Sequence, residues 1–264
     1  MNRLPLVSVL VFLQILASHL LAQSTAPSAN EIARAIFDLT NKERTARGLA
    51  PFKENESLDR LSVIQSKNMM DHNFFSHTDH LGRGPGERKD QYFPRLFGGV
   101  GENIAYVHGV PAVQLARKFV KIWMDSPGHR ANILRPKYSH MGVGITRNGK
   151  TYYATQTFGD LVAQMITNVR NAYPYGSEQE FTFEFLGKFP RDKISVFLHF
   201  PDKSARFFTS KNSYYTGVGY YRPRWLGGRL FSLTVKFDKG HGDYNLTMGS
   251  YENYTPGGLS LRVD

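Results

Sequence analysis

Two histidines and a glutamate that lie far apart in the chain carry side chains that could act together. His77 lies in the stretch FFSHTD, Glu102 in GENIA and His129 in SPGHRANIL. Neutral imidazoles and a carboxylate can ligate zinc and similar ions. They can also move protons, with the carboxylate fixing one imidazole tautomer, or they can satisfy one another in a polar cleft. The spacing does not choose among these uses, because only the fold can bring the three residues together.

The sequence around His129 predicts how its side chain is held. Ser126 can cap a short helix whose first turn contains Pro127, which places His129 at the third helical position. The positive end of the helix dipole favours the neutral imidazole there. Taken in isolation, a histidine in this position is more simply explained as a packing residue at a helix end. His108 and His140 are expected to be ordinary surface or loop residues.

Groups for covalent catalysis are poorly represented in the chain. The sequence contains no cysteine, and Ser126 fits the helix cap better than the role of a nucleophile. It also has no Gly-x-Ser-x-Gly, His-Glu-x-x-His or glycine-rich phosphate-binding motif. The sequence therefore leaves enzymatic activity uncertain and favours a protein that is not an enzyme.

The first residues of the chain predict export. A positive start at Arg3, an apolar run over 4–16 and small residues around Ala22 are typical of a secretory signal peptide over residues 1–22. The run is short for a membrane span and contains polar residues, so no integral membrane anchor is expected after cleavage. The lack of cysteine excludes a lipoprotein anchor and disulfides, and favours a bacterial secreted, periplasmic or extracellular protein.

The net charge of the chain is +11, with Lys and Arg scattered along it. Basic charge can attract nucleic acid, anionic lipid or acidic polymers. Because no run of basic residues stands out, the sequence favours a solvated basic surface, and no nucleic-acid partner is expected.

Apolar spacing predicts helices in the first part of the chain. They begin near Asn30, cover about 57–71 and begin again at Pro111. The segment 72–106 is rich in Gly, His and charged residues and is predicted to be a long functional loop. The Asn-Gly pair at 148–149 predicts a β-hairpin.

The pattern changes near residue 178. Seven short alternating runs separated by turn residues follow between 178 and 264, and they predict an all-β sandwich. Residues 161–177 are predicted to be a linker between two domains.

Residues 34–159 resemble the CAP superfamily, also called the SCP or pathogenesis-related-1 type domain, and in particular its bacterial members. The matching segments occur in the order of the family: LTNKERTARGLAPF, LSVIQSKNMMDHNFFSH, GRGPGER, GENIAY, WMDSPGHRANIL, YSHMGVGI and YYATQTFG. GENIA alone would be weak evidence, but its combination with the later segments is specific. The resemblance implies an α+β fold in which an α-β-α sandwich CAP domain over 31–160 is followed by the smaller β-sandwich domain over 178–264.

The resemblance also implies a surface cleft lined by two histidines and acidic residues. Members of the family often have a second glutamate three residues after the tryptophan, where this chain has a serine next to an aspartate. The resemblance also implies that the strand carrying Gln156 lies beside the cleft. We therefore expect the ligand-binding cleft to be lined by His77, Glu102, Asp125, Ser126, His129 and Gln156.

These expectations favour a secreted, non-enzymatic CAP-domain protein that binds a ligand in its cleft. The resemblance implies a lipid such as a sterol or fatty acid, or a divalent metal such as zinc held weakly by His77 and His129. Binding of such a metal should weaken as the pH falls through about 6.5, since imidazole must be neutral to bind. One alternative is a metal-assisted hydrolase or peptidase that uses the same two histidines and Glu102. Another is adhesion of the C-terminal β-domain, through YYTGVGYYRPRW, to an extracellular surface polymer or protein.

Overall fold

The computed structural model describes residues 26–250, 253–254 and 258–264. The predicted signal peptide lies outside the described residues. The five α-helices of the described part are α1 Ala29–Thr45, α2 Glu56–Asp71, α3 Pro85–Tyr92, α4 Leu115–Asp125 and α5 Pro127–Ile133, with short 3-10 turns at Ala112–Gln114 and Arg191–Lys193. The strands of the first half are β1 Lys53–Glu54, β2 Leu96–His108, β3 His140–Asn148 and β4 Thr151–Met165. The later strands are β5 Glu178–Phe185, β6 Ile194–His199, β7 Arg206–Ser210, β8 Ser213–Thr216, β9 Val218–Tyr221, β10 Arg224–Gly227, β11 Leu230–Lys236, β12 Gly242–Ser250, β13 Asn253–Tyr254 and β14 Leu259–Val263.

Helix α1 begins slightly earlier than predicted. Its N-cap is Ser28 rather than Asn30, and Glu31 completes a capping box, with 2.7 Å from Ser28 N to the Glu31 carboxylate. The box satisfies backbone donors that the first helical turn would otherwise leave open. The predicted apolar stripe is confirmed, because Ile32 and Ile36 are buried.

The predicted α-β-α sandwich is confirmed. Strand β4 pairs with β2 on one side and β3 on the other, both antiparallel, and β1 runs parallel to β3. Helices α1 and α4 cover one face of this sheet and share an apolar core with it that includes Ile36, Phe119 and Trp123. Helix α2 covers the other face.

Two glycines of β3 let helix α2 lie directly on the sheet. A Cβ atom at Gly142 would stand 2.1 Å from the backbone of Leu58, and one at Gly144 would stand 2.2 Å from that of Ser62. The close approach is used for hydrogen bonds. The hydroxyl of Ser62 lies 3.1 Å from the Gly142 carbonyl, and that of Ser66 lies 3.1 Å from the Gly144 carbonyl. These glycines and serines therefore fix the position of α2 on the sheet.

The hairpin predicted at Asn148-Gly149 is confirmed, with the turn one residue later. Asn148 still pairs with Thr151, so the two-residue loop is Gly149-Lys150. Gly149 has a φ of 58°, which glycine adopts without strain and which the first position of a type II′ turn requires.

The prediction of an irregular loop over 72–106 is wrong in its second half. Helix α3 starts at Pro85, where Gly84 N donates to the Glu87 carboxylate at 2.6 Å, and β2 starts at Leu96. The helix has no apolar stripe to reveal it, because the side chains it buries are those of Arg88 and Lys89. The start of β2 is rich in glycine, which lowers its strand propensity.

The sheet continues beyond the predicted domain boundary. Strand β4 runs to Met165, and its last residues pair with β5, as in Ala163 with Phe185. The predicted linker over 161–177 is therefore corrected, since its first residues are strand. The seven-stranded sheet thus extends through β5 to β11 and β10. Folding of the two parts as separate domains stays a prediction.

The C-terminal region is all-β, as predicted. A five-stranded sheet of β13, β12, β6, β9 and β14 and a β7–β8 hairpin accompany the extended sheet. One core joins both layers, with Phe181, Phe183 and Phe231 on one side and Val196 and Leu246 on the other. All seven predicted runs contain strands, and β10 and β13 were not predicted.

Candidate functional site

The site is organised around Glu102 in the middle of β2. Its side chain is 1% exposed and accepts two hydrogen bonds, one on each carboxylate oxygen. His77 Nδ1 lies 2.8 Å from Oε1, and Arg88 Nη2 lies 2.5 Å from Oε2. The guanidinium of Arg88 therefore compensates the buried negative charge of Glu102, and the second carboxylate oxygen contacts the His77 imidazole.

Arg88 joins helix α3 to the loop that carries His77. Its side chain is fully buried, and besides the ion pair it donates through Nη1 to the His77 carbonyl at 2.6 Å and to the Arg83 carbonyl at 2.8 Å. Sequence reasoning missed Arg88, although it is the last residue of the segment GRGPGER. The available signal was an arginine in a matching motif, since a buried arginine needs partners that only a specific fold supplies.

His77 presents one ring edge outwards. A carboxylate without a proton can only accept, so the contact with Glu102 requires the proton on His77 Nδ1. The other ring nitrogen, Nε2, then carries the lone pair, and the side chain is 51% exposed. The loop is held at the preceding residue, where Gln65 Nε2 donates to the Ser76 carbonyl at 2.7 Å.

His129 occupies the third position of helix α5, as predicted. Ser126 takes the N-cap position and Pro127 the first helical position, but the Ser126 side chain makes no capping hydrogen bond. Burial, and secondly the charge of His77, lower the pKa of His129 below its usual value of 6.5. The lowered pKa agrees with the predicted neutral imidazole, and its causes are burial and His77. Its Nδ1 is buried without a hydrogen-bond partner among the described residues.

A chain of buried amides fixes helix α5 against β2. Asn132 Nδ2 donates to the Glu102 carbonyl at 3.2 Å and to Asn103 Oδ1 at 3.0 Å, and Asn103 Nδ2 donates to the His129 carbonyl at 3.1 Å. Asn103 also bonds Gln156, whose amide donates to Thr40 at 2.8 Å. These contacts hold the backbone of His129 in register with the strand that carries Glu102.

Two of the six expected cleft residues are placed elsewhere. Gln156 is fully buried between Asn103 and Thr40, so it supports the site from behind. Asp125 is exposed, lies 2.8 Å from Lys121 and borders a groove between α1 and α4. The structure gives no acidic substitute for the second glutamate of the family at this position.

An aromatic rim adjoins the site and was not predicted. Tyr106 lies on β2 four residues after Glu102 and therefore faces the same side of the sheet. Phe75, two residues before His77, meets Tyr106 edge to face at 5.0 Å between ring centres, and Tyr153 lies 6.0 Å from Tyr106. Phe75 and Tyr106 are about half exposed, so the rim offers apolar surface beside the two histidines.

The other histidines differ from expectation or lie outside this group. His140 was expected at the surface but is buried at the start of β3, whereas His108 is exposed as expected. His72 and His80 are exposed and stack on each other at 3.6 Å between ring centres.

The side chains at the cleft that could ligate a metal are few. Within the described residues, no group of three or more His, Cys, Asp or Glu side chains is arranged to hold a metal ion. Glu102 is already engaged by Arg88 and His77, so it orients an imidazole instead of offering a ligand oxygen. What remains are His77 Nε2 and the unpartnered Nδ1 of His129. Such a pair suits weak binding with several open coordination positions.

Comparisons with known proteins agree on the first half of the chain. The model of the CAP family, described as the cysteine-rich secretory protein family, matches residues 37–158. The uncharacterized protein YkwD of Bacillus subtilis (strain 168) is 35% identical over 136 residues, which are 51% of this chain and 50% of that protein. The chain thus spans half the length of this curated relative.

Two solved structures illustrate the range of similar proteins. An extracellular protein containing a SCP domain from Bacillus anthracis str. Ames is 34% identical, with 50% of this chain and 41% of that chain covered and a TM-score of 0.41. NaASP2, solved with Zn²⁺, is 14% identical, with 52% and 83% covered and a TM-score of 0.39.

No helix in the described ranges has the length and apolar character that crossing a membrane would require. The order of the elements from α1 to β4 and the family match over 37–158 agree in extent. The chain therefore carries a CAP/SCP domain over about residues 29–165, followed by an all-β C-terminal region.

Proposed function

We propose that this protein acts outside the cytoplasm as a binding protein whose cleft holds a divalent cation weakly at His77 and His129. The observation that carries the proposal is the contact of His77 Nδ1 with Glu102, itself compensated by Arg88. In metal sites a ligating histidine commonly donates its second ring nitrogen to a carboxylate, which fixes the tautomer and raises the basicity of the free nitrogen.

The second histidine supports the same function. The lowered pKa of His129 keeps its imidazole neutral at pH 7, the form that can ligate a metal. A cation bound to His129 Nδ1 would also give a partner to a buried ring nitrogen that lacks one among the described residues. Zn²⁺ in the NaASP2 crystal belongs to that protein, and the proposal here rests on this chain's own residues.

Binding is better supported than hydrolysis. The base of a hydrolase would have to be Glu102, yet both of its carboxylate oxygens are engaged and its side chain is 1% exposed. A base must reach the proton that it removes, and a carboxylate in a buried ion pair is held away from that task. The exposed rim of Phe75 and Tyr106 adds apolar contact for an organic ligand that reaches the cation.

Zinc titration calorimetry on the full chain tests the proposal. We expect measurable zinc binding at pH 7.5, lost in the double variant His77→Ala, His129→Ala. Binding at pH 5.5 should be weaker than at pH 7.5, because protons compete with the metal for the imidazole nitrogens.

The matched control is the double variant His72→Ala, His80→Ala, which removes the exposed stacked pair. It should leave the zinc affinity unchanged. Affinity that is retained without His77 and His129, or lost without His72 and His80, would show that the cleft is not the binding site.

A further inference from the structure

A second pocket lies in the C-terminal region, on the outer face of the five-stranded sheet. Its volume is ≈ 640 Å³, and its lining includes Phe197, His199, Tyr215, Tyr220 and Arg222. None of these residues belongs to the cleft of His77 and Glu102.

Strand alternation explains why these side chains face outwards. On β6, Val196 and Leu198 point into the core between the sheets, so Phe197 and His199 must point to the opposite face. Phe197 pairs in register with Tyr220 of β9, which places both rings on that same face. The pocket is thus a product of the strand register.

The floor of the pocket is aromatic. The rings of Phe197 and Tyr220 lie 5.4 Å apart at 53°, and Tyr215 reaches in from β8 with 45% of its surface exposed. Such a surface suits a flat ligand that is apolar on its face and polar at its edge, since tyrosine is apolar on its ring and polar at its tip. A pyranose ring has this character, with C–H groups on its face and hydroxyls around its rim.

The charge of the region is one-sided. Between residues 203 and 237 the sequence contains no Asp or Glu, and its basic residues are Lys203, Arg206, Lys211, Arg222, Arg224, Arg229 and Lys236. Among the described residues, no carboxylate lines the pocket. Arg222 is exposed, and no carboxylate among the described residues forms an ion pair with it. Burial, and secondly Lys203, lower the pKa of His199, so the positive charge in the pocket near pH 7 comes from Arg222.

We propose that this pocket binds an acidic saccharide, with a sugar ring on Tyr220 and Phe197 and the sugar's carboxylate on Arg222. A guanidinium can bind a carboxylate through two parallel hydrogen bonds, which adds orientation to the apolar contact of the rings. The chemistry assigned is that of a uronic-acid residue in a longer polymer. This inference is independent of the function proposed for the cleft.

Calorimetry of the full chain with a linear galacturonic acid tetramer tests the proposal. We expect binding by the native protein, and a loss of affinity of about tenfold or more in Tyr220→Ala and in Arg222→Gln. Tyr220→Phe keeps the ring and should retain most of the affinity, which separates loss of the aromatic surface from loss of the fold. Lys211→Gln, an equal change of charge at the β7–β8 turn, should change the affinity by less than about twofold.

Two further ligands test the contributions of the carboxylate and of the sugar ring separately. A neutral galactose tetramer should bind at least about tenfold more weakly, since it lacks the carboxylate. A glutamate tetramer should also bind more weakly, since it lacks the sugar face. The assignment would be overturned if either of these ligands bound as tightly as the galacturonic acid tetramer, or if that tetramer did not bind. It would also be overturned if Lys211→Gln and Arg222→Gln changed the affinity equally.

Discussion

Two histidines of the CAP domain have their pKa lowered by burial, with different consequences. His129 borders the cleft, where the proposed cation binding requires the neutral ring. His140 lies behind it at the start of β3, with Nδ1 2.8 Å from the Ser139 hydroxyl. Burial, and then the charges of Lys53, Arg229 and Lys188, lower the pKa of His140 to about 4. The buried imidazole at the start of β3 thus makes the stability of the fold depend on pH.

We expect the folded protein to lose stability as the pH falls from about 6.5 towards about 4, in part through His140. In this window the His140 imidazole binds a proton in the unfolded state but not in the folded state. Lowering the pH therefore favours the unfolded state and reduces the free energy of unfolding. The stabilisation is complete above pH 6.5 and amounts to at most about 3 kcal/mol. Urea denaturation at pH 7 and pH 4.5 should show a smaller pH effect in His140→Gln than in the native protein. The control is His108→Gln, which changes an exposed histidine. If the free energy of unfolding changed equally between pH 7 and pH 4.5 in both variants, His140 would be excluded as the source of the pH effect.

Helix α2 is the element that sets the position of the His77 loop. It lies on Gly142 and Gly144 of β3 at backbone contact, and serine hydroxyls bond across the junction. Strands usually avoid glycine, so its presence here marks a close approach. The loop with His77 begins where α2 ends, at His72.

Gly144→Ala should destabilise the protein by about 1–3 kcal/mol, because the added methyl group overlaps the backbone of Ser62. The free energy of urea unfolding measures the effect. Gly86→Ala is the matched control, since nothing lies within 4 Å of the added Cβ and alanine favours the helix α3. Stability of Gly144→Ala equal to that of the native protein would show that α2 can shift freely on the sheet.

Sequence patterns predicted the elements that bury apolar stripes. Helix α3 was not predicted because the side chains it buries are those of Arg88 and Lys89. The beginning of β2 was not predicted because it is rich in glycine. At the site, motifs gave His77, Glu102 and His129, but hydrogen bonds between distant residues decided their roles. The placement of Gln156 behind the site depends on Thr40, 116 residues earlier, which no local pattern contains.

At the scale of the whole molecule, one sheet joins the two halves. The first half packs helices on β2, β3 and β4, and the same sheet then continues through β5 into an aromatic core. This plan carries the two proposed binding surfaces, which differ in chemistry. The cleft offers two imidazoles and a compensated carboxylate, whereas the C-terminal pocket offers aromatic rings and one arginine.

The central claim is that His77 binds a cation through Nε2 while Glu102 holds the proton on Nδ1. Nitrogen-15 NMR of the histidine rings, recorded at pH 7.5 with and without zinc, tests this directly. The account predicts that His77 carries its proton on Nδ1 in both states, and that zinc shifts the signals of His77 Nε2 and of the His129 ring. A proton on His77 Nε2 in the zinc-free protein, or zinc shifts confined to His72 and His80, would contradict it.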